Sequence, residues 1–281
     1  MRALAPGNKA VDDGAQSTRS RNRSPTPPAT DPWKIKTGTS YEPFVDVFES
    51  RSLGEMNVVP GRLTGRDHHY SERKREYRYH YVLELIPNVV DIREHYPIIP
   101  IELTLDIAKQ LKLAHPTHNG QPIELTFDTL LTIRHSNGEL TYVARSIRDL
   151  ADLAKPKVQS RLALQYAAAT SRNIPWKLVT DVECSDAIAT RARWLFSVYV
   201  DNPDYSCSEA TTTAFLKSLS TQDFTEPLRR VLATAGLTIG LSRDEPIALF
   251  KHLVCSRMLT VDLTMPLQLK DPHVALARNF K

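Results

Sequence analysis

Ile123-Glu124-Leu125-Thr126-Phe127-Asp128-Thr129-Leu130-Leu131-Thr132-Ile133 and Leu140-Thr141-Tyr142-Val143-Ala144-Arg145-Ser146-Ile147-Arg148 decide the fold. In the first run Ile123, Leu125, Phe127, Leu131 and Ile133 face one way. Glu124, Thr126, Asp128 and Thr132 face the other, with Leu130 the exception, so the spacing predicts a strand. His135-Ser136-Asn137-Gly138 joins the two runs, and Asn-Gly is a strong hairpin signal. A three-residue loop with Gly138 left-handed pairs His135 with Glu139. It sets Asp128 opposite Ser146, with Arg148 two positions on along the same face. A two-residue loop would place Ile147 opposite Asp128. The first register keeps Phe127 and Ile147 together on an apolar side, at the cost of turning Arg145 toward it.

Elements around this hairpin complete a mixed α/β unit. Val89 to Glu94 reads as a short strand, Pro97 and Pro100 break the chain, and Leu103, Ile107 and Leu111 have helical spacing. Pro156 suits the first turn of a helix whose inward stripe is Val158, Leu162, Tyr166 and Ala169. Ile174 to Thr180 reads as a buried strand. Beyond it the chain is mostly helical. Trp194, Leu195 and Phe196 read as core, Ser208 as a helix cap, Pro227 as a first-turn residue, and Ser242 with Glu245 as a capping box. Met258 to Leu269 reads as a two-stranded wing turned at Pro266. Expected domains are therefore a disordered tail (1–32), an α/β domain (33–182) and a winged-helix domain (183–281).

Composition fits this division. The 281 residues include 41% apolar, enough for a core, and 24% charged. Ten Gly and three Cys exclude collagen and disulfide-scaffold classes, and Cys184, Cys207 and Cys255 lie far apart. No run approaches eighteen apolar residues and no signal-like run follows Met1, so a cytoplasmic protein without membrane contact is expected. Five of the 19 Pro fall in the first 32 residues, which cannot bury enough surface to order themselves.

The net charge of +4 is uneven. Residues 61–82 hold Arg62, Arg66, Arg73, Lys74, Arg75 and Arg78 against Asp67, Glu72 and Glu76, with four tyrosines and three histidines interleaved. Cations among aromatics suit a nucleic-acid surface. An ordinary charged helix with intrahelical ion pairs fits the same composition equally. In the last predicted helix only Lys251, His252 and Arg257 could read bases or phosphates, so docking of a protein fits at least as well.

Metal-assisted cleavage of a phosphodiester needs carboxylates to hold the ion and a cation near the phosphate. Glu76, Asp128 and the Ser146-Ile147-Arg148 stretch could supply these parts. Each acid alone also fits an ordinary helix or strand position.

Glu76, Leu83-Glu84-Leu85 and Val89-Val90-Asp91-Ile92-Arg93-Glu94-His95-Tyr96-Pro97 together resemble the TnsA transposon endonucleases. So do His115-Pro116, Thr126-Phe127-Asp128, Ser146-Ile147-Arg148, and Ile174-Pro175-Trp176 leading into Val179-Thr180-Asp181. The resemblance spans about residues 60–200. It implies a restriction-endonuclease-like mixed-sheet domain followed by a mostly helical winged-helix domain. It further implies nicking of transposon 5′ ends with Mg²⁺, for which Mn²⁺ can substitute, beside a DDE-type transposase and an ATPase regulator docked on the C-terminal domain. Glu76 and Asp128 fall on the family's metal-binding acids. Ser146 falls where Gln is common, and Arg148 on the catalytic Lys. Arg73, Lys74, Arg78 and Ser146 are the expected DNA contacts. Two departures stand out: Arg148 itself, and Leu162-Ala163-Leu164-Gln165 where the family tends to carry acids. They keep open a weakened or inactive subunit serving DNA binding and assembly.

Overall fold

A computed structural model describes residues 37–44, 57–70, 75–242 and 244–280. The expected tail, and Arg73 and Lys74, lie outside the described residues. In chain order β1 (Asn57–Gly61) and β2 (Arg66–Tyr70) form an antiparallel pair, followed by α1 (Glu76–Leu85), β3 (Val89–Pro97) and α2 (Ile101–Gln110). A two-residue pair, β4 (Thr117–His118) and β5 (Gln121–Pro122), precedes β6 (Thr126–Arg134), β7 (Leu140–Ile147), α3 (Pro156–Ser171) and β8 (Trp176–Val179). Four helices follow: α4 (Asp186–Asp201), α5 (Glu209–Leu219), α6 (Leu228–Leu237) and α7 (Glu245–Cys255).

The main sheet runs β3-β6-β7-β8, with the first two pairings antiparallel and the last parallel. The α3 crossover makes that parallel pairing possible, because parallel neighbours cannot be joined by a tight turn. The hairpin takes the expected register. His135 N–H donates to Glu139 O at 2.8 Å, Gly138 has φ 83°, and Thr129 pairs with Arg145, so Asp128 falls opposite Ser146.

The one-sided reading of this hairpin does not hold. Residues 126–132 of β6 are all buried, because helices cover both faces of the sheet. Phe127, Leu130 and Ala144 pack with Leu164 and Ala168 of α3 and Ile107 of α2. Leu131, Ile147 and Val179 pack with Tyr79 and Leu83 of α1. Phe127 and Ile147 therefore lie in different cores, and Leu130 is no exception but part of the core that holds Phe127. A central strand covered on both sides reads as a continuous apolar run.

Other differences follow from neighbours that pattern cannot reveal. Residues 61–70 form a turn and a strand, so the helix starts only at Glu76. In α3 the buried side is Leu164, Gln165, Ala168 and Ala169, while Tyr166 is 55% exposed. That face carries small residues and one engaged amide instead of the largest apolar groups. β8 is an edge strand and only half buried.

Beyond residue 182 the helices match expectation, with Ser208 capping α5 and Glu245 accepting from Ser242 N–H at 2.6 Å. The wing is absent: among the described residues 256–280 no strand forms, and the only bridge joins Pro227 to Pro272. Proline lacks the N–H a ladder needs. Leu259, Leu267 and Leu276 instead anchor this stretch singly into the helical core. The three candidate readers are also engaged internally. Lys251 donates to Ser197 Oγ (2.7 Å), and His252 bonds the Tyr199 hydroxyl (2.8 Å). Arg257 clamps the carbonyls of Glu84, Pro87 and Val89. The three cysteines are free thiols, though only Cys255 is buried.

α1 lies between the two halves. Tyr79 and Leu83 face the sheet, whereas Tyr81 packs on Phe196 of α4 at 5.4 Å between ring centroids. The basic, aromatic stretch 61–82 is thus divided: Arg62 and Arg66 belong to the β1–β2 region, Arg75 and Arg78 to the start of α1, and Tyr79, His80 and Tyr81 are buried in a helix enclosed on two sides.

Candidate active site

Asp128 sits at the centre of the sheet, between two strands that each contribute to its surroundings. From the end of β7 and the residue after it, the Ile147 N–H and the Arg148 guanidinium both donate to Asp128 Oδ2 at 2.6 Å. From β3, His95 falls opposite Asp128, where the ladder steps from Glu94↔Thr129 to Tyr96↔Phe127. His95 has φ 48°, a left-handed conformation that costs a non-glycine residue about 1–3 kcal/mol when held by its surroundings. Its Nε2 lies 3.5 Å from Glu76 Oε2. Burial lowers the His95 pKa, against the pull of the Asp128 and Glu94 carboxylates, so the ring is neutral near pH 7.

Glu76 opens α1, and its carboxylate suits the positive end of the helix dipole. Glu76, His95, Asp128 and Arg148 are all at least 94% buried, an unusual density of ionisable groups for a protein interior. The structure therefore links the three expected residues: Arg148 bonds Asp128 directly, and His95 joins Glu76 to their neighbourhood.

Ser146 is fully buried, and its hydroxyl is engaged on both sides. It donates to Gln165 Oε1 (3.0 Å) and accepts from Trp176 Nε1 (2.9 Å). Gln165 Nε2 in turn donates to the Thr126 carbonyl at 2.6 Å. This chain of bonds ties α3 and β8 to the strands bearing Asp128 and Arg148. Arg78 pairs with Asp186 at the start of α4.

Neither His95, which stands in the sequence only as part of a motif, nor the linking role of Gln165 is legible from pattern. A histidine inside a strand-like run gives no signal of positive φ. Gln165 was visible only as a departure.

A mixed sheet with helices on both faces, carrying a buried carboxylate at its centre and an acid from the flanking helix, is a restriction-endonuclease-like frame. Consistent with this, residues 86–181 match the family described as TnsA-like endonuclease N terminal. Asp128, Ser146, Arg148 and Gln165 lie inside that match, and Glu76 lies before it. The chain is also 29% identical over 161 residues to the transposon Tn7 transposition protein TnsA of Escherichia coli. That alignment covers 57% of this chain and 58% of the relative, so the chain spans less than two thirds of the protein it matches. The sheet domain described here is thus similar to TnsA-like endonuclease N-terminal domains over residues 86–181. Among the described residues no helix is long and apolar enough to cross a membrane.

Proposed function

We propose that this chain is the Mg²⁺-dependent DNA endonuclease subunit of a heteromeric transposase, nicking transposon 5′ ends during cut-and-paste transposition. A DDE-type transposase would cut the other strand, and an ATPase regulator would dock on the helices after residue 182. Residues 33–182 would form the catalytic unit and 183–281 the docking unit, although α1 gives them a shared wall. The carrying observation is the burial of Glu76 and Asp128 around His95 within a TnsA-like domain.

The donor chemistry fits the ion. Both acids offer hard oxygen ligands, and the recorded hydrogen bonds of Asp128 all use Oδ2, which leaves Oδ1 for a cation. A bound divalent ion supplies charge neutralisation at the phosphate and activation of water. Glu76 and Asp128 would hold it, His95 would orient Glu76, and Arg148 would grip the scissile phosphate through its fork.

The test is nicking of transposon-end DNA with Mg²⁺ or Mn²⁺ and the partner transposase present. Glu76→Ala is expected to lower the rate by roughly 10²–10³-fold, the scale of losing one preorganised electrostatic group. Equal rates for wild type and variant would remove Glu76 from the mechanism.

One observation favours a second reading, a weakened catalyst kept for DNA binding and assembly. Arg148 occupies Asp128 at 2.6 Å, and an arginine cannot exchange a proton as a lysine can. A general acid–base group contributes about 10²–10⁴-fold. Under the first reading Arg148→Lys should change nicking by less than about 10-fold, whereas a gain of roughly 100-fold or more would establish the second.

A further inference from the structure

A second buried polar cluster lies further along the face of α1 that carries Glu76, and nicking chemistry does not use it. His68 of β2 and His80 and Glu84 of α1 are all at least 97% buried. His80 and Glu84 are four residues apart and so share one helix face. One ligand atom from each of the three lies within 4.8 Å of the others.

The hydrogen bonds around both imidazoles leave their Nε2 atoms facing inward. Glu94 is a carboxylate held by Arg66, so it can only accept, and His68 Nδ1 must carry the proton it receives at 2.8 Å. His68 Nε2 therefore presents a lone pair, toward the Thr64 hydroxyl at 2.7 Å. His80 Nδ1 bonds the Tyr70 hydroxyl at 2.8 Å. Its Nε2 is fully buried with no hydrogen-bond partner among the described residues, and it stands 3.5 Å from Glu84 Oε1. That separation is too long for a good hydrogen bond. It is close to the spacing of about 3.4 Å that two ligands adopt on a tetrahedral ion with bonds near 2.0–2.1 Å. A histidine whose distal nitrogen is fixed by a carboxylate or hydroxyl, with its other nitrogen turned to a common centre, has the second shell of a metal ligand. Gly61 keeps the centre open, since a Cβ there would come within 2.4 Å of His68 Nε2 and 2.5 Å of Thr64 Oγ1.

We infer that His68, His80 and Glu84 form a structural site for a divalent cation of the zinc class. Two imidazoles and one carboxylate suit Zn²⁺ better than Mg²⁺, which prefers oxygen ligands and retained waters. The Thr64 hydroxyl is the neighbouring oxygen for a fourth position. Arg66 does not repel the ion strongly, because its charge is matched by Glu94 in a two-point pair. Binding would tie the β1–β2 pair to α1 and so fix the helix that carries Glu76.

The test is metal analysis of the full chain purified from zinc-supplemented culture, followed by denaturation, chelation and refolding with Co²⁺. About one equivalent of zinc per chain is expected, and the visible absorption of tetrahedral cobalt after exchange. His80→Phe, which keeps the ring volume, should lower the metal content at least about 5-fold, and Glu84→Gln serves if that variant does not fold. Glu76→Ala should retain the zinc. Wild type without zinc, unchanged content in both ligand variants, or loss in Glu76→Ala would each overturn the assignment. The last result would place the ion at the nicking site instead.

Discussion

Asp128→Asn should lower nicking by roughly 10²–10³-fold and stability by about 1.5–3 kcal/mol, two effects with separate causes. The amide is nearly the size of the carboxylate, and its oxygen can still accept from the Ile147 N–H, which donates at 2.6 Å in the native chain. It cannot balance the Arg148 guanidinium, whose side chain is 7% exposed. Weakening a charge-assisted bond between two buried groups accounts for the stability loss. The loss of nicking would come from an amide that binds a divalent cation weakly. A double variant separates the two. Asp128→Asn with Arg148→Met removes the buried guanidinium as well and should recover most of the stability, measured by denaturant unfolding, without recovering nicking. Recovery of nicking in that variant would mean that Asp128 serves only to hold Arg148.

The sequence made the centre of this site readable and left its edges hidden. Asp128 opposite Ser146 followed from one turn, because Asn137-Gly138 fixed the loop and the loop fixed the register. Helix starts at Ser208 and Glu245 were readable for the same local reason: caps are written next to the elements they close. Burial was harder. Leu130 looked misplaced until α3 was known to cover its face. Tyr166 looked buried because it is large, yet α3 turns Gln165 inward to bond Ser146 and Thr126. The basic stretch around Glu76 has the composition of a surface, because composition carries charges and aromatics without their partners. Arg66 is in fact paired with Glu94 and Arg78 with Asp186. The wing failed because alternating leucines anchor an irregular chain as readily as a strand. Each failure is a long-range contact overriding a local pattern.

Arg66 and Glu94 supply the largest stability effect expected in this chain. Glu94→Ala should cost about 3–5 kcal/mol, the range for breaking a buried pair by removing one partner. Both guanidinium nitrogens reach the carboxylate, at 2.7 and 2.6 Å, and the Glu94 side chain is fully buried. His68 Nδ1 and the His69 N–H add donors at 2.8 and 3.2 Å. Burial alone would push the Glu94 carboxyl up. The bonds from Arg66 and His68 outweigh it and hold the group well below the usual carboxylate range. A carboxyl depressed in the folded state contributes stability above its unfolded pKa and loses it as pH falls. Wild type should therefore lose its advantage over Glu94→Ala in acid. Arg75 is the contrasting case, paired with Asp149 and Asp152 but with 25% of its side chain exposed. Arg75→Ala should cost no more than about 1 kcal/mol, because exposed pairs gain little over water. Urea unfolding of both variants with chelator present, so that no bound metal contributes, checks the difference. Near-equal losses would mean that burial does not set the value of these pairs. An Arg66→Met, Glu94→Leu double variant should be more stable than Glu94→Ala, since apolar groups of similar volume leave no charge stranded.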